Sequence, residues 1–146
     1  MNYKKWLIED LQTLNRQRFA ISQLESELET AEAEFCAIKA SNLDKMPSGS
    51  GDNIQEEKLL TVIAKKDELA KNLEYTRKHV ADMDRLLNQL PDEERLIIER
   101  SVINNEKYAA ETLADELGYE RRQIFNKKNA ALTHLAQLRH GASYQT

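Results

Sequence analysis

Residues 41–53 read SNLDKMPSGSGDN, a stretch where one Pro and two Gly gather with several Ser, Asn and Asp residues. Such a cluster ends a helix and turns the chain. The segments on either side have a different character. Upstream, Leu7, Leu14, Ile21, Leu28 and Phe35 recur every seven residues, with Leu24, Ala31 and Ile38 three positions further on and Leu11 at the alternative plus-four step. Downstream, Leu59, Lys66, Leu73, Val80 and Leu87 repeat by seven, with Val62, Leu69, Thr76, Met83 and Leu90 three later. Apolar residues at that spacing form one stripe along a helix, as in a coiled coil. Two such helices around a short bend predict an antiparallel hairpin over residues 1–90, and Asn53 with Glu56 has the spacing of an N-cap box opening the second arm.

The two registers support each other. Pairing Leu7 with Leu87, Leu14 with Val80, Ile21 with Leu73, Leu28 with Lys66 and Phe35 with Leu59 places the midpoint of the hairpin at residue 47, inside the expected bend. Lys66 is the one charge in that set. Its long aliphatic stem lets the ammonium snorkel out of the seam.

Past Leu90 the pattern restarts. Pro91 suits the first position of a helix, and Asp92, Glu93 and Glu94 favour the positive end of its dipole. This short helix is expected to reach about Ile103, where Asn104-Asn105 breaks it. A second is expected from about Glu106 to Leu117, closed by Gly118, because glycine accepts the left-handed conformation that follows a helix end. A last helix is expected over roughly Glu120 to His140. The fold class is therefore all-α: a long antiparallel coiled-coil hairpin (residues 1–90, bend at 41–53) followed by a three-helix helix-turn-helix module (residues 91–146).

Composition agrees with helices. Charged residues make up 32% of the chain and aromatics 6%, with four Gly and two Pro among 146 residues, so little is available for hairpin turns or strands. A single Cys precludes an internal disulfide and fits a reducing compartment. No apolar run is long enough for a transmembrane span, and the first ten residues lack the apolar core of a signal peptide. A cytoplasmic, nucleoid-associated protein is the expectation.

The formal net charge of −4 hides an asymmetry. Residues 1–90 carry −3, residues 91–118 carry −5, and residues 119–146 carry +4. Four of the basic residues, Arg121, Arg122, Lys127 and Lys128, fall just after the Leu117-Gly118-Tyr119 corner. A helix-turn-helix needs a small residue where its two helices cross, a permissive residue at the turn, and apolar residues clamping the second helix to the first. Ala114, Gly118, and the set Leu113, Leu117, Tyr119 and Ile124 fit those roles. The second helix would then present Arg121, Arg122, Gln123, Asn126, Lys127, Lys128 and Asn129 to duplex DNA. Arg, Asn and Gln make bidentate contacts to guanine and adenine edges, while Lys neutralises phosphates.

The stretch LPDEERLIIERSVINN…LADELGYERRQIFNKKNAALTHL resembles the fourth conserved region of bacterial sigma factors and the regulators built on it. The resemblance is carried by Leu90-Pro91, Arg95, Leu113-Ala114, Leu117-Gly118 and Ala131-Leu132-Thr133-His134-Leu135. Over nearly its whole length, a helical hairpin with a Ser/Gly-rich bend and then this module, the chain is similar to small phage and prophage proteins related to phage transcriptional activators. The resemblance implies a transcriptional regulator. The chain departs from that pattern with Glu120 where the family carries Ser, with Lys127 where it carries an apolar residue, and with a longer connection between Arg100 and Leu113.

Other constellations are weak. His79, His134 and His140 make no metal-ligating pattern with Cys36, and no two of them stand at i, i+4. His134 reads as a surface or DNA-proximal residue. Cys36, next to Phe35, reads as packing. Ser48-Gly49-Ser50-Gly51 lacks the Gly-Lys-Ser/Thr of a phosphate loop and reads as part of the bend. No nucleophile–base pair or paired carboxylate emerges, so neither enzyme activity nor a cofactor is expected. The expected partner is double-stranded DNA, with homodimerisation through the hairpin, where Ile8, Phe19, Leu60, Ile63 and Leu86 lie outside the seam. Two alternatives stay open: a DNA-packaging protein like the small terminase subunits, and an adaptor whose C-terminal module contacts RNA polymerase.

Overall fold

The computed structural model describes residues 2–43 and 51–141, and all regular structure among them is helical. Helix α1 spans Tyr3–Leu43 and α2 spans Gly51–Asn88. Helix α3, Asp92–Ile98, runs directly into a π-helical segment, Glu99–Ile103. Helix α4 is Ala109–Leu117 and α5 is Arg121–His140. No helix among the described residues is long and apolar enough to cross a membrane.

Helix extends into the expected bend from both sides, and the remainder, 44–50, lies outside the described residues. Because α2 opens at Gly51, Asn53 is its third residue and cannot be its N-cap. Glu56 still sits in the opening turns, where a carboxylate suits the positive end of the helix dipole.

The chain divides into two compact units, 1–18 with 79–146, and 19–78. The boundary expected at residue 90 therefore falls elsewhere in space. The physical reason is that the start of α1 and the end of α2 share their buried faces with the C-terminal helices. Arg18 donates to both Asp84 (2.7 Å) and Glu99 (3.0 Å), Arg139 pairs with Asp10, and the Tyr3 ring stacks on His140 at 4.4 Å. Leu7, Leu11 and Leu14 are all fully buried in this unit, together with Met83, Leu87, Ile97, Ile98, Leu113, Ile124 and Leu135.

The 19–78 unit is a pair of antiparallel arms. Arg77 pairs with Glu25, and the Lys66 ammonium lies 4.4 Å from the centre of the Phe35 ring. Lys66 thus does not snorkel clear of the seam as expected: half-buried, it lies on the ring of the seam residue Phe35, two turns along from Leu28. Side chains lean toward the N-terminus of their own helix, so antiparallel neighbours meet past the level of their Cα atoms. The buried line here is thin: Leu24, Ala31, Val62, Leu73 and Thr76. The Thr76 hydroxyl is satisfied by the Asn72 carbonyl at 2.8 Å. Cys36 is exposed and does not pack, since it follows the seam residue Phe35 by one position and so points away.

Pro91 sits at the N-cap of α3, one position before the helix, with extended ψ, and its carbonyl accepts from Arg95 N–H at 3.0 Å. The following connection differs more from expectation. Helix α4 begins at Ala109, three residues late, because the end of the preceding helix widens. Asn104 N–H bonds the Glu99 carbonyl (2.8 Å) and Glu106 N–H bonds the Arg100 carbonyl (3.0 Å). Asn105 and Tyr108 both take positive φ, 47° and 61°. Arg100 fastens this connection by pairing with Glu106 and Glu116.

Candidate nucleic-acid interface

The corner between α4 and α5 follows from Gly118. Its φ of 74° and ψ of 29° are left-handed, and both its own N–H and that of Tyr119 turn back to the Ala114 carbonyl. A Cβ added there would meet nothing within 4 Å, so the glycine is required by conformation and not by space. Behind the corner Ile97, Leu113, Ala114 and Ile124 form one buried cluster, with Ala110, Leu117 and Tyr119 packed on it. This is the clamp expected from the sequence, with Ile97 of α3 added.

Glu120 caps α5 in extended conformation, and its N–H donates to Gln123 Oε1 at 2.8 Å. Glu120 therefore opens the helix, with Gln123 as the reciprocating partner. Gln123 is thereby a capping residue here, its carbonyl oxygen engaged by the backbone.

With Ile124 inward, Arg122, Asn126 and Asn129 fall at i, i+4 and i+7 on the opposite, exposed face of α5. Among the described residues, none gives the side chain of any of these three a hydrogen bond or an ion pair. Lys128 stands at the flank of this face and is likewise without a carboxylate partner among the described residues.

Two of the expected DNA-facing cations are placed otherwise. Arg121 pairs with Glu111 of α4 at 3.1 Å, and its guanidinium lies 5.4 Å from the centre of the Phe125 ring. Lys127 points back to α3. Its ammonium is 3.5 Å from Glu93 and 4.5 Å from the centre of the Tyr119 ring. A lysine is thus accommodated beside the clamp because its charge is met by an acid and an aromatic face. The Tyr119 hydroxyl first, then Lys127, holds the Glu93 carboxyl below its ordinary range. Burial works against the charge on Lys127, but Glu93 and Tyr119 outweigh it and its pKa is raised. His134 lies 3.0 Å from Glu94, also against α3, and not on the outward face.

Phe125 was not among the residues expected at this face, yet its ring is 43% exposed on the outward side of α5 between Arg121 and Asn129. Counting by i, i+3 from Arg122 would have found it. Among the described residues, no group of three or more His, Cys, Asp or Glu side chains is arranged to hold a metal ion. No protein-family model, curated protein or solved structure matches the chain.

Proposed function

We propose that this chain is a transcriptional regulator of phage or prophage type that binds double-stranded DNA through the first three turns of α5. The observation that carries the reading is the unpartnered row Arg122, Asn126 and Asn129, presented outward by a helix whose opposite side is clamped through Ile124. Arg and Asn are the side chains that address guanine and adenine edges in the major groove, and a helix is the element that fits there. Lys128 neutralises a phosphate at the edge of the contact. Lys127 and Gln123 hold α5 in place, and Arg121, shared with Glu111, flanks the reading face. The sigma-region resemblance of residues 90–135 supports the same assignment.

Selection from random duplexes gives the preferred site, and a salt titration then tests the roles. Arg122→Ala or Asn126→Ala should cost about 1–3 kcal/mol on that site and flatten its preference over scrambled sequence. Lys128→Ala should weaken all sequences alike and lower the salt slope by about one unit. If the parent shows no salt-dependent binding, α5 is not a DNA reader, and a protein-binding adaptor takes its place.

A second copy of the chain completes the proposal. Phe19, Leu60 and Ile63 are exposed on the 19–78 unit, while Ile8 and Leu86 are half-buried. Pairing two hairpins through the exposed three would bring the two-fold symmetry that regulators of this kind use. Sedimentation should give a dimer; a ring of eight or more copies would favour a DNA-packaging role.

A further inference from the structure

Two grooves in the unit formed by 1–18 and 79–146 meet at one residue. The first, about 320 Å³, is lined by Ser101, Asn105, Tyr108, Arg121 and Lys128 together with the carboxylates Glu106 and Glu111, so it borders the exposed face of α5. The second, about 310 Å³, is lined by Gln12, Asn15 and Arg16 of α1 together with Val102, Ile103 and Asn105. Asn105 lines both, so the two grooves are neighbours at the 104–108 connection, one reaching α5 and the other α1, and the two together are termed the strip.

The backbone under that strip is held in an unusual state. It consists of the π-helical segment followed by two non-glycine residues at positive φ. π-helical turns and left-handed non-glycine residues gather at functional sites, because their conformational cost persists only where the surroundings enforce it. Here the enforcement is Arg100, pinned between Glu106 and Glu116.

The strip carries both charges. The carboxylates in and beside it are each paired with an arginine, Glu106 and Glu116 with Arg100, Glu111 with Arg121, and Glu99 and Asp84 with Arg18, so three arginines face five acids. Among the described residues, Arg16, Lys107 and Lys128 have no carboxylate partner, and these three cations tip the balance to positive. Lys107 lines neither groove itself, but its ammonium lies 5.3 Å from the centre of the Tyr108 ring, which lines the first. The neutral groups between them, Gln12, Asn15, Ser101 and Asn105, are hydrogen-bond donors suited to phosphate oxygens. Unpaired cations interleaved with neutral donors match the nucleic-acid backbone, where contacts fix position without reading sequence.

We infer that this strip is a second nucleic-acid contact, in which α1 through Arg16, and the 104–108 connection through Lys107, grip the sugar-phosphate backbone of the duplex that α5 reads. The inference rests on the DNA-binding reading of α5 and extends its footprint to an element some hundred residues earlier in the chain. It assigns α1 a direct contact and not only a structural role.

The test uses the full chain on its selected duplex. Arg16→Ala and Lys107→Ala should each lower the salt slope by about one unit, leave the order of preferred sequences unchanged, and do so additively. Arg16→Glu should lower the slope further. A photo-crosslinker attached to a cysteine at position 16, in a Cys36→Ser background, should label the DNA outside the bases that Arg122 and Asn126 select. If the parent binds with its salt dependence intact but both alanine variants keep the full slope and position 16 labels nothing, the second contact is wrong and the α5 reading stands. If Arg16→Ala changes the sequence preference instead, Arg16 reads bases and the backbone assignment is overturned. Absence of any parent binding overturns both.

Discussion

Leu7, Leu11 and Leu14, near the start of α1, are fully buried, whereas Ile21, Leu28, Phe35 and Ile38 on the same helix are only half-buried. One heptad period runs through both regions, so the period itself does not set the burial. The difference lies in what surrounds the helix. Near the start of α1 the end of α2 and the C-terminal helices close around it, and a wide stripe at i, i+4 and i+7 is covered. In the 19–78 unit each arm has one partner, and a two-helix layer covers only a narrow seam. There long side chains finish the work, as Lys66 does over Phe35 and Arg77 does with Glu25.

The most demanding test of this contrast truncates equivalent leucines. Leu11→Ala should cost about 2–5 kcal/mol, because it opens a cavity among fully buried neighbours. Leu28→Ala should cost under about half as much, because its site is already half-open to water. Equal losses in urea titrations of the two variants would mean that both regions are enclosed alike.

A smaller loss is expected at the α4–α5 corner. Gly118→Val should cost about 1–2 kcal/mol and Gly118→Asn clearly less, since no neighbour obstructs a side chain and only the left-handed backbone resists one. Similar melting shifts for Val and Asn would point to a steric cause instead. In the 19–78 unit, Phe35→Leu removes an aromatic face under an ammonium and should cost about 0.5–1 kcal/mol beyond any packing change. A double-mutant cycle with Lys66→Met isolates that part; zero coupling would leave the contact without energetic weight.

The mildest effect is one of pH. Burial first, and then the adjacent Arg139, lower the pKa of His140, with Asp10 opposing them. Its Nε2 is buried without a hydrogen-bond partner among the described residues. A group whose folded pKa is depressed prefers the neutral form on folding. Its contribution is therefore complete above the ordinary imidazole value and is lost as pH falls through the lowered one. The unit containing α5 should weaken slightly across that window, and His140→Phe should abolish the dependence. Thermal melts at pH 7 and pH 5 check this, and an unchanged difference in the variant would assign it elsewhere.

The same contrasts separate what is legible in the residue order from what only the fold reveals. The seam residues, the clamp of Leu113, Ala114 and Ile124, and the turn at Gly118 are legible because each leaves a local trace: a period, a small residue, a glycine. The joining of residues 1–18 to the C-terminal helices leaves no such trace. It depends on partners such as Asp10 and Arg139 at opposite ends of the chain, and no period connects them. The late start of α4 is hidden for another reason. Asn is a residue type that accepts the left-handed region, as Asn105 does, but Tyr108 is not, and only the bonds that pin the connection explain its conformation. On α5, spacing alone places Arg122, Asn126 and Asn129 on one face. It cannot show that Lys127 is claimed by Glu93, an acid 34 residues earlier.

The joining of the two chain ends bears on the order of events during synthesis. The 19–78 unit has all its residues once position 78 has left the ribosome. The unit that carries α5 then has its first strip of core, Leu7 to Leu14, made but uncovered. It must wait for residues more than a hundred positions later. At about 5–20 residues per second that delay is several seconds. Through that interval a nascent chain has one arm pair and no assembled α5 corner, so the corner takes shape only after the arm pair has all its residues.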